Sequence, residues 1–249
     1  MLSAFLLCGC YTTEYNTAAH SQNVFFYSTD REVAMGQNIA RKISEEFKLS
    51  ANSNDIERVN AAAEKITKFI DRQEINYYFY IIEKDQEGKS QINAFSVPGG
   101  YIYIFKELLD LLDEEELAFV LAHEAGHIAS RHQIKRLQAA MGYNLLMAAS
   151  TTVDAGPEFS RGLSFALVQL LSAYSREDEF NADGQAVRYC KAAGFDPKAG
   201  IEVLEKLYKE GKKKIRPISY FRTHPYTAQR IRQIKEILHL PLDVEDYIN

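Results

Sequence analysis

Little in this sequence fits a fold held by covalent cross-links or built inside a membrane. It has only three cysteines, Cys8, Cys10 and Cys190, and their spacing matches neither a disulfide framework nor a zinc knuckle. No apolar run reaches the roughly 18 residues that span a bilayer. The stretch from Gly162 to Ala173 is too short, and Arg161 and Arg176 flank it closely. Positive charge is not in excess. The net charge of −5 excludes nucleic acid as the main partner, because phosphate binding needs a concentrated basic surface. The short basic run Lys212-Lys213-Lys214 reads as a solvated loop. No internal repeat is visible.

What is present is an ordinary globular composition over 249 residues, 46% apolar and 25% charged, which excludes disorder. The first ten residues stand apart. MLSAFLLCGC is apolar, ends in small residues and a cysteine, and precedes the polar YTTEYNTAAHSQN. It looks like the tail of a secretory signal peptide. Leu7-Cys8-Gly9-Cys10 resembles a bacterial lipobox, which makes Cys10 the expected lipidation site. The expected organisation is a leader over 1–10, a polar tether over 11–28 and one domain over 29–249. That places the protein in the periplasm-facing cell envelope on a lipid anchor to the outer membrane, without a transmembrane helix.

Thr29-Asp30-Arg31-Glu32 reads as a capping box opening a helix to about Phe47. A second helix is expected from about Asn54, with Val59, Ala63, Ile66 and Phe69 on one stripe. Ile75–Ile82 is aromatic and β-branched, hence a strand; Gln91–Val97 and Tyr101–Phe105 are two more, joined by the turn residues Pro98-Gly99-Gly100. A helix is expected from Asp113 to about Gln138 and a mobile loop over 142–160. A long helix then runs to about Ala193, ended by Gly194, and shorter helices follow near 197–210 and 226–239. The expected fold is α+β: a mostly helical, single zincin-like domain with a small antiparallel sheet beside its central helix.

That central helix carries His123-Glu124-Ala125-Gly126-His127, an HExxH pattern. At about 100° per residue, the two histidines lie about 40° apart on one face. There they can bind one Zn²⁺, with Glu124 placed to take a proton from water. Leu117, Leu121, Ala125 and Ile128 form an apolar seam that supports the helix. A catalytic zinc needs a third protein ligand. On a continuous helix His132 points about 140° away from His127, so it is expected to be a buried, hydrogen-bonded histidine behind the site. The metzincin pattern fails, with Ser130 and Gln133 at its glycine and last histidine. The better candidate is Glu179. It and Asp183 sit one turn apart on a stripe with Ala186, Val187 and Cys190, and two inward carboxylates are costly unless paired. Glu179 is therefore the expected third ligand and Asp183 the expected partner of a ligand histidine's far nitrogen. Glu177 and Asp178 are expected to be solvated.

The order of signals resembles the gluzincin metallopeptidase family of the CAAX prenyl protease and HtpX, in its soluble or lipid-anchored envelope branch. Four segments carry the likeness: Asn93-Ala94-Phe95 with Pro98-Gly99-Gly100; His123–His127 with Arg131-His132; Ser175-Arg176 with Glu179 and Ala182-Asp183; and Thr223-His224-Pro225. Asn181 departs from the family's usual glutamate. The resemblance implies a zinc metalloendopeptidase with one Zn²⁺ per chain and polypeptide substrates such as misfolded envelope proteins. It implies a substrate strand added along the edge at Asn93, Ala94 and Phe95. It also gives His224 a catalytic place, as a transition-state donor or as a fourth ligand that latches the resting metal. The rival reading is a chaperone-like envelope protein with a structural zinc.

Overall fold

The computed structural model describes residues 12–16, 21–25, 27–84, 91–140, 173–213 and 218–242. Cys10 and the leader, the loop expected over 142–160 and the apolar stretch before residue 173 lie outside the described residues.

Two strands, β1 (Thr12–Asn16) and β2 (Ser21–Phe25), pair antiparallel as a separate two-stranded sheet within the segment read as a tether. The helix α1 (Thr29–Glu46) follows. Its cap is Ser28, whose hydroxyl accepts from the Arg31 amide, and not the expected Thr29–Glu32 box. Glu32 has been drawn away: it is 1% exposed and faces Arg72 and Arg131. After the short β3 (Lys48–Leu49), α2 (Ser53–Thr67) buries Val59, Ala63 and Ile66. Phe69 falls beyond its last turn and is exposed.

The second sheet is mixed, not purely antiparallel. Its order is β3-β4-β6-β5, with β4 (Tyr78–Lys84) parallel to β6 (Tyr101–Phe105) and β5 (Ala94–Val97) antiparallel to β6. The turn between β5 and β6 uses Gly99 and Gly100 at φ +79° and +99°, a region that side chains with a Cβ rarely enter. Side chains alternate across β5. Phe95 and Val97 join Ile39 and Ile43 of α1 on one face; Ala94 joins the larger core under α2 and α4 on the other.

After the single turn α3 (Lys106–Leu109), the central helix α4 (Glu114–Ala129) is buried from Glu116 to its end. Asp113 and Glu116 cap it reciprocally, each side chain accepting from the other's amide at 2.9 Å. The helix does not run on to Gln138. Arg131 adopts φ +55°, and helix resumes over 132–140 as α5. Helix α6 (Arg176–Ala193) starts at the Ser175 cap and ends, as expected, at Gly194 with φ +83°. It packs on α4 so closely that a Cβ at Gly126 would meet the Ala182 carbonyl oxygen at 3.1 Å. Helices α7 (Ala199–Lys213), α8 (Tyr220–Thr223) and α9 (Thr227–Ile237) complete the domain. Among the described residues, no helix is long and apolar enough to cross a membrane.

Candidate metal centre

Four buried side chains converge: His123 and His127 from α4, Glu179 from α6 and His224 from the end of α8. His123 Nε2 lies 3.1 Å from His127 Nε2 and 3.3 Å from His224 Nδ1. Glu179 Oε1 is 3.1 Å from His224 Nδ1 and 3.5 Å from His127 Nε2, and its Oε2 is 3.6 Å from His123 Nε2. Bonds of about 2.0–2.1 Å to a tetrahedral ion separate its ligands by about 3.3 Å, so the cluster has the size of a filled zinc site. A cation shared by the three imidazole nitrogens would account for their convergence.

The charges lead to the same conclusion. Glu179 and Asp183 face the guanidinium of Arg230, Glu124 faces His224, and all five are fully buried. Three carboxylates against one guanidinium leave an excess of two negative charges, the charge of one divalent cation. Several of these atoms also lack hydrogen-bond partners among the described residues, namely Glu124 Oε1, Glu179 Oε2 and His224 Nε2. Arg230 Nη1 approaches Glu179 Oε2 at 2.9 Å without the alignment of a hydrogen bond.

The ligand candidates are held from behind. His123 Nδ1 donates to Asp183 Oδ1 at 2.9 Å, and Asp183 in turn takes two bonds from Arg230 at 2.7 Å. Burial works against the Asp183 anion, but Arg230 and His123 hold its carboxyl below the usual range. His127 Nδ1 lies 2.8 Å from His132 Nδ1. For Nε2 of His127 to bind a metal, its Nδ1 carries the proton and donates to His132; the Nε2 of His132 then faces Asp178 at 3.4 Å. Burial pushes the His132 imidazolium down to about 4, which keeps it a neutral acceptor.

His132 therefore does sit behind the site, but the kink at Arg131 brings it there; on a continuous helix it would lie across the axis. Asp178 is a correction. It is 4% exposed and bound to His132 and Lys135, while Glu177 is exposed as expected. Asn181 accepts from Ser130 and Gln185, away from the cluster.

His224 is set by its loop. Its amide donates to the Tyr220 carbonyl at 2.8 Å, and the Tyr220 ring stacks on it with centroids 4.6 Å apart. Asn93 Oδ1 accepts from Thr223 Oγ1 at 3.3 Å, and Tyr220 and Ser219 both donate to the Ile92 carbonyl. Burial disfavours a charged His224, yet Glu179 and Glu124 on either side raise its pKa overall; a bound cation would reverse that balance.

Of the three residues expected to bind substrate, Asn93 thus anchors the His224 loop, Ala94 faces the core and Phe95 stacks on Tyr103 at 5.1 Å. Strand β5 does lie at the sheet's edge, and its four residues are buried.

Sequence reading missed Arg230, and also Tyr174, whose ring stacks on His127 at 3.7 Å. Arg230 shares a helical stripe with Ile234, both 0% exposed. An arginine on an apolar stripe, with two inward acids elsewhere lacking a cation, was the available signal.

Such a site, with two histidines and a glutamate on one helix and a second acid on a helix packed against it, is that of a metallopeptidase. The model of peptidase family M48 matches residues 53–238, and the chain belongs to that family. It is similar to the metalloprotease LoiP of Escherichia coli, 27% identical over 95% of this chain and 93% of that one. It is also similar to the beta-barrel assembly-enhancing protease of the same organism, 26% identical over 82% of this chain but only 43% of that protein. The mitochondrial metalloendopeptidase OMA1 of Schizosaccharomyces pombe is 31% identical over 59% of this chain and 43% of its own length. The chain is a metalloendopeptidase.

Proposed function

We propose that this metallopeptidase uses one Zn²⁺ held by His123, His127 and Glu179, with Glu124 as general base. The observation that carries the reading is the convergence of those ligand atoms beside a buried Glu124 oxygen that has no hydrogen-bond partner. Zinc bound there would supply the Lewis acidity that makes water a nucleophile at neutral pH and polarises the scissile carbonyl. Glu124 Oε1 takes the proton from the attacking water and passes it to the leaving amine. Asp183 and His132 fix the histidine rings and their tautomers, and Tyr174 covers His127 against solvent. A polypeptide substrate adds its backbone along the β5 edge at Asn93, Ala94 and Phe95.

The test is metal analysis of the wild type and of the His123→Ala, His127→Ala and Glu179→Ala variants. Full zinc occupancy in Glu179→Ala removes it from the ligand set.

His224 acts as a latch in this reading. Its Nδ1 stands where a fourth ligand belongs and its Nε2 is 3.2 Å from Glu124 Oε1, so the loop occupies both the water's position and the base. Withdrawal of the loop frees them. A latch predicts higher basal cleavage for His224→Ala, a donor lower cleavage. Four converging side chains are also how a structural zinc is enclosed. Glu124 separates the two cases, since a structural site has no use for a base.

Cell-envelope protein quality control is the setting we propose, with the domain over 29–249 tethered through a lipid on Cys10. The likeness to LoiP and to the beta-barrel assembly-enhancing protease and the lipobox-like segment support it. Metabolic labelling with a clickable fatty acid, lost in Cys10→Ser, is the expected result; equal labelling rejects the anchor.

A further inference from the structure

One buried hydroxyl beside the base has no place in the scheme above. Ser96 is 1% exposed and lies on β5, on the face turned to α4. Its Oγ is 2.8 Å from Glu124 Oε2. Gln133, also 1% exposed, donates from Nε2 to the same Oγ at 2.8 Å. A serine hydroxyl has one hydrogen and two lone pairs. A carboxylate can only accept, so the hydrogen of Ser96 goes to Glu124 and a lone pair accepts from Gln133.

The two oxygens of Glu124 thus differ. Oε2 is tied to the sheet; Oε1 has no hydrogen bond and looks into the metal cluster. The helix fixes only the Cα of Glu124, and its three side-chain torsions are free to turn the carboxylate. With Oε2 tied down, the direction of Oε1 is fixed.

We propose that Ser96, braced by Gln133, is a positioning residue that aims Glu124 Oε1 at the reacting water. The proposal rests on the reading of Glu124 as the base. Gln133 reaches Ser96 because α5 restarts beyond the Arg131 kink, so the same break in the helix supplies supports for a ligand histidine and for the base. The β5 edge is then both a candidate seat for the substrate backbone and the mount for the base. Register along that strand and the direction of proton transfer are coupled through one residue.

The experiment compares Ser96→Ala, Ser96→Thr and Gln133→Met with the zinc-loaded wild type on a fluorescent casein. Zinc content and melting temperature are measured alongside. A misaimed base slows the chemical step without weakening binding, so Ser96→Ala is expected to lower kcat roughly 10- to 100-fold, the range for losing a hydrogen bond to a charged group. KM and zinc content stay at wild-type values. Ser96→Thr keeps the hydroxyl and restores most of kcat. Gln133→Met frees the hydroxyl to rotate and gives a smaller kcat loss with the same unchanged KM. A crystal structure of Ser96→Ala is expected to show the Glu124 carboxylate turned from its wild-type direction.

Wild-type kcat in Ser96→Ala overturns the proposal, as does a loss of cleavage that follows loss of zinc. If Ser96→Ala does not fold, Gln133→Met decides by the same criteria. Glu124→Gln, run in parallel, separates the two levels. If it is inactive while Ser96→Ala matches wild type, the positioning role alone falls; if it is active, the assignment of the base falls.

Discussion

Two charge clusters share the helix α4 and differ in how their charges balance. At its C-terminal end Glu32 is gripped by Arg72, with oxygens at 2.8 and 3.0 Å, and by Arg131 at 2.9 Å. Arg72 also bonds the exposed Glu74 at 2.7 Å, so two acids, one of them in solvent, meet two arginines and the charge closes. One helical turn earlier, the acids outnumber the single guanidinium by two and carboxylate oxygens lack hydrogen-bond partners. Both clusters carry a large desolvation cost. In the first, protein groups alone offset it; in the second the account stays open until something of charge +2 arrives. Balanced charge marks a brace, and unbalanced buried charge marks a site.

The sharpest test of that contrast is Glu124→Gln. It should lower cleavage by about 10²–10⁴-fold while bound metal and melting temperature hold, measured by casein turnover and calorimetry. Next is Glu32→Ala, which leaves two buried guanidinium groups facing each other. It should cost about 3–5 kcal/mol of stability, read by urea denaturation, and leave kcat per folded molecule within a few-fold of wild type. A mainly catalytic loss here would break the contrast. Chelating the metal should lower the melting temperature, since an ion present at 100 times its Kd contributes about 2.7 kcal/mol. Glu32→Ala should lose the same increment as wild type, because its brace does not touch the ion. The smallest effect is expected for Asp183→Asn, about 10- to 100-fold weaker metal binding, followed by competition with a zinc indicator. An unchanged affinity would place Asp183 with the braces.

The candidate ligands on the two long helices were legible because they are local. His123 and His127 are one turn apart, and so are Glu179 and Asp183; each pair declares its face through helical periodicity. The pairing of β4 with β6 was not legible, since parallel register depends on a chain crossover and not on alternation within either strand. The Thr29–Glu32 box failed for a related reason: a local capping pattern lost its glutamate to arginines 40 and 99 positions away. His132 was assigned to the right place through wrong geometry. Nothing in Ser130-Arg131-His132 announces φ +55° at an arginine, a conformation sustained by the ion pair with Glu32. Ser96, Gln133 and Arg230 act through partners 28 to 47 residues distant, where periodicity carries no information.

The contact at Gly126 bears on which ion the protein accepts. The two ligand-bearing helices meet there main chain to main chain, with the Ala182 carbonyl oxygen 3.1 Å from where a Cβ would stand. Their separation is fixed by atoms that have no rotamer to change. With a metal bound as proposed, that frame would limit the ionic radius the cluster can hold. Bonds of about 2.0–2.1 Å and four-fold coordination suit it, whereas Ca²⁺, with six to eight oxygens at about 2.3–2.6 Å, would have to push both buried helices apart to enter. A glycine that is none of the four converging residues thus sets the spacing of the helices that carry three of them.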